Sequence, residues 1–177
     1  MAHGYIIQLN PNKEMFVDSS DFIATDDFYE NTLIWGFAYG MYDNSDRRKD
    51  LKFFASCLEP YTSEGLPSYT KGLFELTMTE CESENFDASI IFREGFKEAF
   101  FRKRFEKLQK KVLELTIDEF LSMKTAGDLS DLIYCLCDNI YICDEYLQLM
   151  PLDKFVRRLP DEGNFTYYIG GTVEYHY

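Results

Sequence analysis

Two periodicities alternate along the chain, and each predicts a different kind of element. The longest helical signal lies near residues 92–115. Phe92, Phe96, Phe101, Phe105, Leu108, Val112 and Leu115 recur at steps of three to five, with Ala99 and Phe100 bridging the widest gap. That spacing predicts one apolar stripe facing the core, with basic residues on the opposite face. A second helix is predicted in SDRRKDLKFFASCLEPY. Ser45 is its N-cap, Leu51, Phe54, Ala55 and Leu58 form its apolar face, and Pro60 ends it. Thr116 and Glu119 have capping-box spacing and predict a short helix through IDEFLSM. Ser130 has the character of an N-cap for DLIYCLC, and Pro151 suits the first turn of LDKFVRRL.

HGYIIQL, closed by Asn10-Pro11, reads as a short strand, and alternation of apolar and polar residues predicts another at LFELTMT, residues 73–79. IYIC reads as a further short strand. In NFTYYIGGTVEYHY two β-branched and aromatic runs flank Gly170-Gly171, which predicts a hairpin over 165–177. Residues 27–42 read equally as helix or strand, because Gly36 and Gly40 weaken a helix there. The expected fold is α+β: a small, mostly antiparallel sheet packed against several helices. It combines the N-terminal strand, the strand near 73–79 and the C-terminal hairpin. No repeat or linker-like stretch divides the chain, so residues 1–177 read as one globular domain.

Composition supports this picture. Of the 177 residues, 46% are apolar and 17% aromatic, the opposite of a disordered composition. A chain of this size buries enough surface to fold without disulfides or metal. Its five cysteines are an odd number, and the start has no secretory character, so a cytoplasmic protein with reduced thiols is expected. No stretch reaches the roughly 20 apolar residues of a membrane helix.

Charge changes the picture more. The net charge is −13, but residues 93–111 hold eight Lys/Arg against three Glu. A basic segment therefore lies between two acidic flanks. The acidic remainder opposes binding to nucleic acid or anionic membranes. Arg102, Lys103, Lys107 and Lys110 form the candidate basic face. Asp26, Asp27, Glu30, Glu80, Glu82, Glu84, Asp87, Asp144 and Glu145 are the candidate acidic, partner-binding residues.

The most chemical-looking stretch is CLCDNIYICDEY, residues 135–146, with three thiols and three carboxylates. Cys135 and Cys137 are separated by a single residue, which on a helix points them about 200° apart and prevents chelation of one ion. His3 and His176 are the only histidines, and they could meet only if the terminal strands pair. No catalytic residue, metal or cofactor is assigned, and buried cysteine packing is the preferred reading. No nucleotide-binding, nucleophile-elbow or metalloprotease motif is present.

The expected function is therefore a non-enzymatic interaction protein acting through an acidic surface on a protein partner. A phage or mobile-element inhibitor of a nucleic-acid-binding defence system, working by partial nucleic-acid mimicry, would have this character. The alternative is a small enzyme or ligand-binding protein with an aromatic, carboxylate-lined pocket around LIWGFAYGMY. Association of copies through acidic and basic faces is a further expectation.

Overall fold

The computed structural model describes residues 3–13, 42–43, 47–59, 69–80, 86–123, 140–146 and 148–176. They form an α+β fold with a mostly antiparallel sheet and four helices. The strands are β1 (His3–Asn10), β2 (Tyr42–Asp43), β3 (Phe74–Glu80), β4 (Phe86–Phe92), β5 (Ile140–Cys143), β6 (Leu149–Pro151) and β7 (Phe165–His176). The helices are α1 (Arg47–Leu58), α2 (Phe96–Glu114), α3 (Ile117–Ser122) and α4 (Leu152–Arg158). Strand order is β3-β4-β7-β1-β5-β6, with β2 added to β7, and only β1–β5 is parallel. None of the described helices is long and apolar enough to cross a membrane.

The expected C-terminal hairpin is instead one 12-residue strand, β7. Gly170 and Gly171 sit where the register against β1 shifts. Thr172 faces Ile7 and Ile169 faces Leu9, so two β7 residues oppose Gln8 alone. This is a β-bulge, another use of glycine inside a strand. The Gly171 N–H donates to Gln8 Oε1 at 3.2 Å. The Gln8 side chain thus supplies an acceptor where the ladder is interrupted. Glycines with positive φ occur elsewhere, at Gly72, Gly95 and Gly163. The same register sets His3 opposite His176, so the terminal strands do pair.

One face of the sheet carries the main core. Tyr5, Ile7 and Leu9 of β1 alternate inward with Ala88, Ile90 and Phe92 of β4 and with Ile140 and Ile142 of β5. Leu51, Phe54 and Leu58 of α1, Phe96 and Phe100 of α2, and Leu152, Phe155 and Val156 of α4 cover them. Ile6, Gln8 and Asn10 alternate to the other face and are buried as well. A strand buried on both sides belongs at the centre of a sheet, and β1 lies there between β7 and β5.

The long helix departs from expectation in one respect. Phe92 ends β4, and α2 begins at Phe96 after a turn in which Gly95 takes φ 85°. Of its apolar residues, Phe96, Ala99 and Phe100 are buried, but Phe105 is 64% exposed. The cause is the five-residue step from Phe96 to Phe101, which turns the stripe by about 140° at 3.6 residues per turn. Beyond Phe100 the original face falls to Lys103, half-buried, and Lys107, exposed, so the helix also runs past the core. Phe100→Ala should therefore lower the unfolding free energy by about 3–5 kcal/mol. Phe105→Ala, on the same helix, should change it by about 0.5 kcal/mol or less. Urea denaturation of the two variants checks this contrast, and equal losses would place the stripe back on the core.

Candidate interaction surface

The N-terminal third of α2 is held by an aromatic cluster. The Phe96 ring lies 4.8 Å from Phe92, 5.9 Å from Phe74 and 5.7 Å from Phe100, measured between centroids. Phe92 in turn meets Phe155 and Tyr167. Polar contacts fix the same end. Lys97 Nζ donates to the Leu159 carbonyl at 3.0 Å and pairs with Asp161 at 2.8 Å. The Glu94 N–H donates to Asn164 Oδ1 at 3.2 Å. Farther along, the Arg104 guanidinium stacks on Phe100 at 3.5 Å, and Arg157 stacks on Phe101 at 4.3 Å. Tyr69 donates its hydroxyl hydrogen to the Glu106 carboxylate at 3.1 Å, and this bond raises the Tyr69 pKa.

Past this point the helix presents apolar side chains outward. Val112 and Leu113 are exposed, and so are Ile117, Phe120 and Leu121 of α3. The α3 start is well formed. Thr116 Oγ1 accepts from the Glu119 N–H at 3.2 Å, and the Glu119 carboxylate accepts from the Thr116 N–H at 2.8 Å. This expected capping box holds Glu119 below the usual carboxylate range, chiefly through that backbone hydrogen bond. The exposure of α3 is thus a feature of an ordered, capped helix.

The candidate basic residues come together on α2. Arg102 is hydrogen-bonded to Glu98 one turn earlier, which raises its pKa. Lys110 lies 3.8 Å from Glu114, and Lys107 is exposed. Lys103 is half-buried against a crevice lined by Leu58, Tyr69 and Thr70.

The candidate acids are not gathered in the same way. Asp87 pairs with Lys13 at the mouth of a cleft of about 230 Å³ that Thr79, Ser89 and Tyr168 also line. Glu80 ends β3, opposite Phe86. Asp144, expected on the acidic surface, is buried at 6% exposure. Its carboxylate accepts from the Tyr146 and Gln148 N–H groups at 3.0 and 2.9 Å and lies 3.5 Å from Arg158. It closes the β5–β6 turn, with Glu145 half-buried beside it. Three strand spacings, about 14 Å, separate β4 from β5, so Asp87 and Asp144 lie on different parts of the sheet. Asp26, Asp27, Glu30, Glu82 and Glu84 lie outside the described residues, as do Cys135, Cys137 and all of LIWGFAYGMY but its last residue, Tyr42, which begins β2.

Charge divides along the same line. The described residues hold 17 Lys/Arg and 18 Asp/Glu, so the acidic excess belongs to the remaining segments of the sequence. Among the described residues no group of three or more His, Cys, Asp and Glu is placed to hold a metal ion. Two described clefts, of about 140 and 230 Å³, fall below the roughly 300–1,000 Å³ of ligand pockets. No family model matches the chain, and neither a curated protein nor a solved structure is significantly similar to it.

The exposed apolar residues of α2 and α3 escaped the sequence reading, which assigned Phe105 and Val112 to the core. The signal was present in the five-residue step and in the strict 4, 3, 4, 3 spacing from Phe101 to Leu115.

Cys143 settles the thiol-rich stretch as far as it is described. It is fully buried at the end of β5, and burial, aided by the neighbouring Asp144 charge, pushes its thiol up to about 12. A raised thiol pKa favours folding below the unfolded value of 9.0, and that contribution disappears as pH rises toward 12. At about pH 8, native protein should leave Cys143 unmodified by iodoacetamide, whereas urea-unfolded protein should be labelled there. Mass spectrometry of peptides reads this directly, and rapid native labelling would contradict the buried, neutral thiol.

Proposed function

We propose that the protein acts by binding another protein, as a non-enzymatic interaction protein. The observation that carries this reading is the run of large apolar side chains exposed along α2 and α3. Phe105, Val112, Leu113, Ile117, Phe120 and Leu121 are each more than half exposed. Scattered exposed apolar residues are ordinary, but six large ones within 17 residues of two successive helices are the composition of a docking surface. The basic residues between them supply direction and on-rate, as charges at an interface rim do.

The segregation of charge favours a second contact of opposite sign. The segments outside the described residues contain 13 acids and one Lys, Lys124. An acidic patch drawn from them would suit a partner whose site normally takes nucleic-acid phosphates. This is the inhibitor reading, and it rests on sequence charge alone.

Affinity capture from a lysate, with wild-type protein and with a Phe105→Asp/Val112→Asp variant, tests the proposal. Both substitutions replace exposed residues, so the variant should keep its thermal midpoint. The expected result is a captured protein that the variant loses. Identical captures by the two proteins would remove the α2–α3 surface from the account. A captured protein lost only at high salt, and insensitive to the variant, would favour the acidic contact.

A further inference from the structure

We infer that the exposed stripe of α2 receives an acidic amphipathic helix of the partner protein. The inference rests on the interaction reading above and adds the chemistry of the partner. Phe101, Phe105, Leu108, Val112 and Leu115 are spaced 4, 3, 4 and 3 residues apart. The first four lie on α2 in the a/d repeat of a coiled-coil seam roughly 17 Å long, and Leu115 is the extended C-cap residue that follows. The seam meets the anchored part of the helix at Phe101, which packs against the core beneath Arg157, and its exposed residues lie beyond that point. Phe96, Ala99 and Phe100 are buried, whereas Phe105 and Val112 are 64% and 53% exposed.

The seam's flanks select the occupant. The e and g positions beside it are Arg102, Arg104, Gln109 and Lys111, with no acid among them. Flanking charges of this kind decide which helix can pair and in which orientation. A second copy of this chain brings no acid to these positions. In an antiparallel pair e faces e and g faces g, which opposes like charges, and in a parallel pair Arg104 faces Gln109 and Lys111 faces Thr116, so neither arrangement neutralises the flanks. A helix with apolar a and d positions and Glu or Asp at e and g meets both requirements. An anionic bilayer meets only one. Glu114, Asp118 and Glu119 lie among the exposed apolar residues at the far end of the surface and would be pressed against its headgroups. Single-stranded nucleic acid would find only Phe105 and Phe120 to stack on, next to those same carboxylates.

Two synthetic peptides about three heptads long test the inference. Both carry Leu at a and d; one has Glu at e and g, the other Lys. Titrated into the full chain and followed by fluorescence anisotropy and circular dichroism, the Glu peptide should bind saturably and gain helix. The Lys peptide should bind about tenfold more weakly or worse. Phe105→Asp/Val112→Asp should abolish binding of the Glu peptide. Gln109→Glu/Lys111→Glu should reverse the preference between the peptides. Equal binding of both peptides, or binding of neither, overturns the inference. So does self-association that Phe105→Asp abolishes, or tighter uptake by phosphatidylserine vesicles or an oligonucleotide than by the Glu peptide. If the lysate partner is lost by Phe105→Asp/Val112→Asp but kept by Gln109→Glu/Lys111→Glu, the acidic-helix inference fails while the interaction reading stands. If neither variant alters any binding, the inference and the α2–α3 docking surface fail together.

Discussion

The antiparallel pairing of β1 with β7 is the contact on which the remaining structure depends. It joins residues near the two ends of the chain, from His3 with His176 to Asn10 with Tyr168, at the centre of the sheet. β7 then uses its other edge twice, taking β4 against residues 165–169 and β2 against 174–175. One strand can serve different neighbours along its length because the bulge opposite Gln8 bends it partway. β1, buried on both faces, transmits the arrangement to β5 and β6. Such long-range pairing carries a large loop-closure cost, so its apolar residues must be well buried. Ile6, Ile7 and Leu9 have no solvent exposure.

From this frame follows the position of α2. The β4–β7 register sets Phe92 opposite Phe165 at the sheet end. Arg93 and Gly95 turn the chain directly into the helix, and Phe96 and Phe100 fold back over Phe92. Each fully buried Phe is worth about 1.5–3 kcal/mol in removed apolar surface. The side chains of Phe105, Val112 and Leu113 contribute little of this kind to the free protein. They stay largely in water, and their burial remains available to a partner. In the proposed reading the helix itself sets the docking geometry: a buried first third fixes its direction, and a rotated stripe leaves an apolar seam with basic flanks. The Tyr69–Glu106 bond braces the helix near the point where one regime gives way to the other.

Much of the fold was legible in the sequence. Leu51, Phe54 and Leu58 mark α1, Thr116 and Glu119 mark α3, alternation marks β3, and short β-branched and apolar runs mark β1 and β5. What failed was physical in origin. Gly170-Gly171 has the composition of a turn, and only the register with Gln8 reveals a bulge. β4 was concealed because Phe92 also fits the start of the helical stripe; yet Phe86, Ala88, Ile90 and Phe92 alternate with Asp87 and Ser89 as a strand requires. Asp144 looks like any surface acid in sequence, whereas its two backbone donors and Arg158 make it part of a turn. Local composition cannot separate an acid that closes a turn from one that faces a partner. The candidate surface shows the same limit in another form, because a five-residue step was read as a gap in one stripe when it divides two.

The most direct measurement is amide hydrogen exchange resolved along α2 and α3 in the free protein and with its captured partner. In the free protein, the account predicts exchange from Phe96 to Arg104 near the limit set by global unfolding, and much faster exchange from Leu108 to Leu121. On binding, the second stretch should become protected while the first changes little. Uniform protection along the whole helix in the free protein, or partner-induced protection confined to other elements, would contradict the claim that α2 is anchored at one end and docks a partner with the other.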